Sequence, residues 1–167
     1  RNEIYSIPTK VVHADDHIFK WIKNNIEKPV LVGPDSESEQ WVSKVAKNAN
    51  APFIVLEKTR HGDRDVQISV PQVEDFKHHT PVLVDDIIST ARTMIETVEH
   101  LKGAGMQPPV CIGVHAVFAD KAYQDLREAG ASKIVTCNTI PHESNVIDLS
   151  DLFLDFIENF EKEKTAL

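Results

Sequence analysis

One stretch constrains this chain more than any other: residues 82–93, Val-Leu-Val-Asp-Asp-Ile-Ile-Ser-Thr-Ala-Arg-Thr. Pro81 opens a short apolar run, Val82-Leu83-Val84, of the kind that forms a buried strand of a parallel sheet. Two adjacent carboxylates, Asp85 and Asp86, follow at its carboxyl end. Ser89, Thr90 and Thr93 come next, and then Met94, Ile95, Val98 and Leu101 at helical spacing. The pattern predicts a strand, an acidic pair, a hydroxyl-rich turn and a helix. A turn entering a helix presents unpaired backbone N–H groups, and the helix dipole adds positive potential, so a phosphate monoester fits there. The hydroxyls of Ser89, Thr90 and Thr93 can donate to the same oxygens. The two carboxylates can accept hydrogen bonds from a vicinal diol or hold a hydrated magnesium ion. A phosphate and a diol a few ångströms apart describe a phosphorylated ribose. The same residues also suit a plainer strand end, with Ser89 or Thr90 capping the helix and the aspartates solvated.

The rest of the chain repeats the strand–helix alternation. Residues 1–13 read as an extended entry segment, with Pro8 opposing helix. Asp15 or Asp16 caps a predicted helix through Ile18, Phe19, Trp21, Ile22 and Ile26, where Trp21 reads as core packing. His13 and His17 lie four apart there, and at a surface turn without further ligands they read as solvated side chains rather than a metal pair. Pro29 introduces a strand, Val30-Leu31-Val32, followed by Gly33-Pro34-Asp35. Ser36 and Glu39 have capping-box spacing for a helix running to about Asn50. Residues 52–56 form a third strand. Residues 57–65 contain three cations and no apolar residue, and are predicted to be a mobile loop. Val66, Ile68 and Val70 then alternate with polar residues, as in a flap hairpin. His78 and His79 read as surface. Residues 110–118 read as a strand in which Gly113 allows close approach and His115 is a satisfied core histidine. A helix from about Asp120 to Gly130, a strand over 133–137, a polar turn with Pro141 and a short strand at Val146-Ile147 follow. Ser150 caps a last helix whose Leu152, Phe153, Phe156, Ile157 and Phe160 are predicted to pack inward. Such alternation predicts an open, mostly parallel sheet of five to six strands with helices on both faces, plus a small flap hairpin. Asp35 and the Asp85-Asp86 pair then face one crevice, where open α/β sheets place ligands.

Composition narrows the partners. With 167 residues and 41% hydrophobic content the chain can bury a real core as one domain. A net charge of -8 opposes sequence-independent nucleic-acid binding, which needs a basic face. No apolar run approaches the roughly 20 residues of a membrane span, and no signal-peptide pattern is found. Cys111 and Cys137 sit in apolar strand contexts and read as buried thiols of a reducing compartment, so a cytoplasmic location is expected. The first residue is Arg1, and the expectation is a piece of a longer protein.

Residues 82–93 closely resemble the phosphoribosyl-pyrophosphate motif shared by type I phosphoribosyltransferases and ribose-phosphate pyrophosphokinases. That motif is a hydrophobic strand, two acids, two variable residues, then Asp or Ser, Thr, two small residues and Thr. Ala91 and Arg92 fill the small pair, often Gly-Gly, so Arg92 departs from it. Over nearly the whole chain the resemblance is to the C-terminal half of a ribose-phosphate pyrophosphokinase. Ile4–Ile7 leading to Lys20-Trp21-Ile22 resembles the family's crossing into its second half. Gly33-Pro34-Asp35 resembles the start of the pyrophosphate loop, Lys58-Thr59-Arg60 a Lys-x-Arg on a mobile catalytic loop, and Asn138-Thr139-Ile140-Pro141 a turn near the C-terminus.

The resemblance implies a type I phosphoribosyltransferase-like fold over residues 1–167, as the second half of a two-domain protein. It also implies transfer of the diphosphoryl group of ATP to ribose 5-phosphate, with Mg2+. In that reading Lys58 and Arg60 close over the transferring phosphates, Asp85 and Asp86 hold the ribose hydroxyls, and Asp35 holds magnesium. Ser89, Thr90, Ala91, Arg92 and Thr93 hold the 5-phosphate. A homo-oligomer is implied too, and inactivity of the isolated chain, because the family's other half supplies much of the ATP site. Two alternatives stay open. One is a phosphoribosyltransferase using phosphoribosyl pyrophosphate, against which Lys58-x-Arg60 counts. The other is a non-catalytic regulatory relative, favoured by Ser36-Glu37-Ser38-Glu39 where the family commonly has a Gly-rich, partly basic loop.

Overall fold

The computed structural model describes residues 11–60, 66–69, 73–154 and 157–158. Its frame is a six-stranded sheet in the order β2-β1-β5-β6-β7-β8, parallel throughout. The strands are β1 (Pro29–Gly33), β2 (Phe53–Val55), β5 (Thr80–Ile88), β6 (Val110–Ala116), β7 (Lys133–Cys137) and β8 (Asn145–Ile147). A separate antiparallel ribbon pairs β3 (Glu57–Arg60) with β4 (Val66–Ser69). The expected open parallel sheet with a small hairpin is therefore what forms.

Two cores, one per sheet face, hold it. On one face α1 (Asp15–Asn25) and α2 (Glu39–Ala49) pack Ile18, Ile22, Val42 and Val45 against Leu31, Val82, Val110, Ile112 and Val135. Trp21 is partly buried against this core, as its spacing predicted. On the other face α4 (Arg92–Gly103) and α5 (Ala122–Ala129) pack Met94, Val98, Leu101 and Leu126 against Val30, Val32, Leu83 and Cys111. Adjacent strand residues such as Val82 and Leu83 thus enter opposite cores, which is why the central strands read as unbroken apolar runs. Burial pushes the thiols of Cys111 and Cys137 up to about 12 and about 11, and both are free.

Several local expectations give way. The first residue before α1 is Ala14, without a side-chain cap, and Asp15 and Asp16 lie in the first turn. A four-residue helix, α3 (Val73–Phe76), precedes β5, and His79 stacks edge-on against Phe76 instead of standing free at the surface. After β8 the chain is helical at residues 150–154 and 157–158. There Leu152 alone joins the core, while Phe153, Leu154 and Ile157 are 49%, 58% and 51% exposed. The inward packing expected of Phe153 and Ile157 does not occur. Phe156 and Phe160 lie outside the described residues. No helix among the described residues is long and apolar enough to cross a membrane.

Candidate functional site

From β1 the chain turns to β2 at one edge, then crosses to β5 on the other side of β1 and continues outward to β6. The β1–β5 pair is therefore where the connections reverse direction, and the loops leaving those two strands splay apart to open a crevice. A cleft of about 360 Å³ lies there. Val32, Pro34 and Ser38 form one wall, the 83–86 segment of β5 the floor, and Thr93, Met94 and Thr97 of α4 the other wall. A second hollow of about 120 Å³, lined by Ser89, Thr90, Ala91, Arg92 and Thr93, shares Asp85, Thr93 and Met94 with it. Asp85 thus lines both hollows, and Asp86 lines the larger one.

The acids were expected just past the end of their strand. In the structure β5 continues to Ile88, and Asp85, Asp86 and Ile87 are exposed residues within it. The β6 partner explains this. Asp85 pairs with Gly113, whose missing side chain leaves room for Ile88: a Cβ on Gly113 would meet the Ile88 Cδ1 at 2.6 Å. The ladder therefore runs on, as far as Ile88 opposite Ala116. Partial burial of its carboxyl, then the adjoining Asp86, pushes Asp85 up to about 6. Two acids that repel in this way suit a ligand that returns positive charge or hydrogen-bond donors.

The turn that follows is built on Ala91, which adopts φ 55 and ψ 12 and immediately precedes α4. Neither Ser89 nor Thr90 caps the helix, so both hydroxyls, with that of Thr93, line the small hollow. The left-handed backbone at Ala91 is the conformation that glycine adopts without strain, which accounts for the frequent Gly at this place in the motif. Arg92 begins α4, is exposed and lines the same hollow.

On the opposite wall, the expected Ser36–Glu39 capping box is displaced by one residue. Asp35 caps a short 3-10 turn, Ser36–Ser38, its Oδ1 accepting the Ser38 N–H at 3.0 Å while the Ser38 hydroxyl bonds back to Asp35. Gly33 is required here, since a Cβ would come within 2.5 Å of Ser38 Oγ. Asp35 thus has one carboxylate oxygen engaged in the cap, and of this turn Pro34 and Ser38, not Asp35, line the cleft. Glu37 and Glu39 are exposed and do not line the cleft. Lys58 and Arg60, expected on a mobile loop, lie instead on β3, opposite Ile68 and Val66. Residues 61–65 of that expected loop lie outside the described residues.

Ser38 and Thr97 line the cleft without having been singled out. Thr97 was legible as the residue one helical turn beyond Thr93, to whose carbonyl its hydroxyl donates at 2.7 Å. Among the described residues no group of three or more His, Cys, Asp or Glu side chains could hold a metal ion. His17 instead pairs with Asp151 at 2.9 Å, a contact that draws the Asp151 carboxyl below its ordinary value. His115 is satisfied as expected, Nδ1 to Thr139 Oγ1 at 2.8 Å, while that hydroxyl donates to Val114 O.

Residues 1–153 match the family described as phosphoribosyl transferase domain. The chain belongs to that family. The ribose-phosphate pyrophosphokinase of Sulfurisphaera tokodaii is 30% identical over 146 residues, which are 86% of this chain and 50% of that protein. The phosphoribosylpyrophosphate synthetase of Mycobacterium smegmatis superposes with a TM-score of 0.79 at 25% identity, over 97% of this chain and 55% of its own. The orotate phosphoribosyltransferase of Aeropyrum pernix shares the fold, with a TM-score of 0.52 at 16% identity over 86% of this chain and 73% of its own. The phosphoribosyl transferase domain described here thus spans about half the length of the two pyrophosphokinase-type relatives.

Proposed function

We propose that this domain is the C-terminal half of a ribose-phosphate pyrophosphokinase, which moves the diphosphoryl group of ATP onto ribose 5-phosphate. The observation that carries the reading is the pair of adjoining hollows at the β1–β5 reversal, with Asp85 lining both and Asp86 the larger. In this reading the small hollow takes the 5-phosphate on the hydroxyls of Ser89, Thr90 and Thr93 and the first amides of α4, with Arg92 adding charge at its rim. Asp85 and Asp86 orient the ribose diol, which aims the anomeric hydroxyl into the larger cleft. The diphosphoryl group lies along Pro34–Ser38, and Lys58 and Arg60 neutralise the charge that gathers on it.

The residues suit magnesium, since Asp85 and Asp86 repel each other and a hydrated Mg2+ takes one or two carboxylates plus substrate phosphates. Asp35 keeps one oxygen for the same purpose. When bound, the ion supplies charge neutralisation at the transferring phosphates. Similarity to the Mycobacterium smegmatis synthetase, well above that to the orotate enzyme, favours the kinase over a transferase using phosphoribosyl pyrophosphate. Glu37 and Glu39 stand outside the cleft lining, which counts against a regulatory relative with a blocked diphosphate subsite. A homo-oligomer in the cytoplasm, with ATP and ribose 5-phosphate as its partners, completes the reading.

The test is calorimetric titration of the folded domain with ribose 5-phosphate, with and without magnesium. Heat that saturates at one site per chain is expected. Its absence in a demonstrably folded domain would remove the site assignment.

A further inference from the structure

The loop leaving β6 lines neither compartment, yet it holds two of the four non-glycine residues with positive φ among the described residues. Phe118 and Asp120 both occupy the left-handed region, at φ 36 and φ 51, although neither is glycine. Conformations of this kind persist only where their surroundings enforce them. The ladder between β5 and β6 ends with Ile88 opposite Ala116. Beyond it, two backbone bonds continue the grip: the Phe118 N–H donates to Ile88 O at 2.8 Å and the Ala119 N–H to Ser89 O at 3.1 Å. Their acceptors are the last residue of β5 and the first residue of the turn that lines the small hollow.

Ring packing enforces the bend. Phe118 lies 4.6 Å from the His142 ring and meets Tyr123 edge-on at 5.1 Å, and Tyr123 meets His142 at 4.8 Å. His142 is itself fixed. Its Nδ1 accepts the Ser144 N–H at 3.1 Å and its own backbone N–H donates to Asn145 Oδ1 at 2.9 Å. The three rings therefore tie the β6 loop to α5 and to the turn before β8.

We infer that Phe118 is a positioning residue: its ring, locked by Tyr123 and His142, holds two amides against Ile88 O and Ser89 O and so fixes the shape of residues 89–93. The ligand part of this inference rests on the proposed phosphate site, whereas the brace itself is read without any ligand. Anion recognition by hydroxyls and amides depends on placement to about half an ångström, so a loosened turn binds less tightly.

Phe118→Gly is the informative variant, because glycine adopts φ 36 freely, keeps the N–H donor and removes only the ring. Phe118→Tyr is the conservative rescue. Amide hydrogen exchange in the ligand-free domain should accelerate roughly tenfold in Phe118→Gly at Ala119, which donates to Ser89 O, and at Ile95, which donates to Ala91 O, with Val82–Val84 unchanged. Ribose 5-phosphate affinity should fall roughly tenfold, and Phe118→Tyr should restore both. Unchanged exchange at these amides in Phe118→Gly would overturn the inference. So would accelerated exchange with undiminished affinity. A wild-type domain that binds no ribose 5-phosphate would instead defeat the functional reading, and the exchange arm alone would then decide the brace.

Discussion

Asp85 gives the site its pH dependence, and the sign follows from the direction of its shift. Partial burial and the neighbouring Asp86 raise it to about 6, above the ordinary value it has in the unfolded chain. The fold thus prefers the neutral acid, and the stability tied to this group is full at low pH and lost as pH rises through about 6. Asp85→Asn, which imitates the neutral form, should stabilise the domain near neutrality by about 1 kcal/mol, a value reduced for solvent screening of an exposed side chain. Thermal melts should show that gain vanish towards about pH 4. Binding runs the other way. A diol or a magnesium ion needs the carboxylate, so ribose 5-phosphate affinity should be level above about pH 7 and fall by up to roughly tenfold per unit below about 6. A flat calorimetric profile across that window would exclude Asp85 from the diol contact.

Ala91 offers a second single-residue test. At φ 55 a methyl group is strained, so Ala91→Gly should stabilise the native turn by about 0.5 kcal/mol once the unfolded-state entropy of glycine is offset. Chemical denaturation would measure it, and a loss of stability would mean that the buried methyl matters more than the backbone. At this scale the sequence was informative wherever residue type and chemistry coincide, as in Ser89, Thr90 and Thr93. It was silent on Phe118, whose importance lies in a backbone angle and two ring contacts that no local pattern encodes.

Among the elements, the apolar triplets Val30–Val32 and Val82–Val84 and the helical spacing after Thr93 could be read because burial leaves its period in the chain. The misread boundaries share one cause. β5 runs on through Asp85 and Asp86, and β3 consists of Glu57, Lys58, Thr59 and Arg60, so the extension of the one and the whole of the other lack an apolar signature. Backbone pairing to a neighbour makes them: β6 with its Gly113 in one case, the alternating Val66–Ser69 in the other. The β3–β4 ribbon is its own sheet, hydrogen-bonded to none of the six main strands. Such a ribbon can carry Lys58 and Arg60 towards bound phosphates as a unit, as catalytic lids do. On the proposed function, Lys58→Ala and Arg60→Ala in the full-length protein should each lower kcat by a factor of about 10²–10³, the usual loss of one transition-state donor. KM for ribose 5-phosphate should change little, since the proposed ribose site is residues 85–93. Near-wild-type turnover in both variants would leave the ribbon without a catalytic role.

For the whole molecule, the two cores account for nearly all buried apolar side chains among the described residues, and half of the large apolar residues left exposed there lie between Val146 and Ile157. Phe153, Leu154 and Ile157 follow helical spacing that places them on one side of the terminal segment, and all three are about half exposed or more. Val146, on the edge strand β8 just before them, is 58% exposed. The periodicity of this segment read as a core-facing helix because sequence reports an apolar stripe without saying which surface covers it. Only Leu152 of the described terminal segment packs on the α1–α2 core, which leaves Phe153, Leu154 and Ile157 uncovered within the described residues. A second copy of the chain is the cover that fits the proposed homo-oligomer, and an edge strand next to an apolar helix supplies both pairing and burial. Light scattering of the domain should therefore show dimers or larger species whose share grows with concentration. Replacing Phe153 and Ile157 together by Glu should shift the population to monomer while leaving the melting temperature nearly unchanged, because exposed side chains contribute little to the fold of one copy. A wild-type domain that stays monomeric over a wide concentration range would refute this interface. A double variant that melts early would show instead that the stripe serves the fold of its own chain.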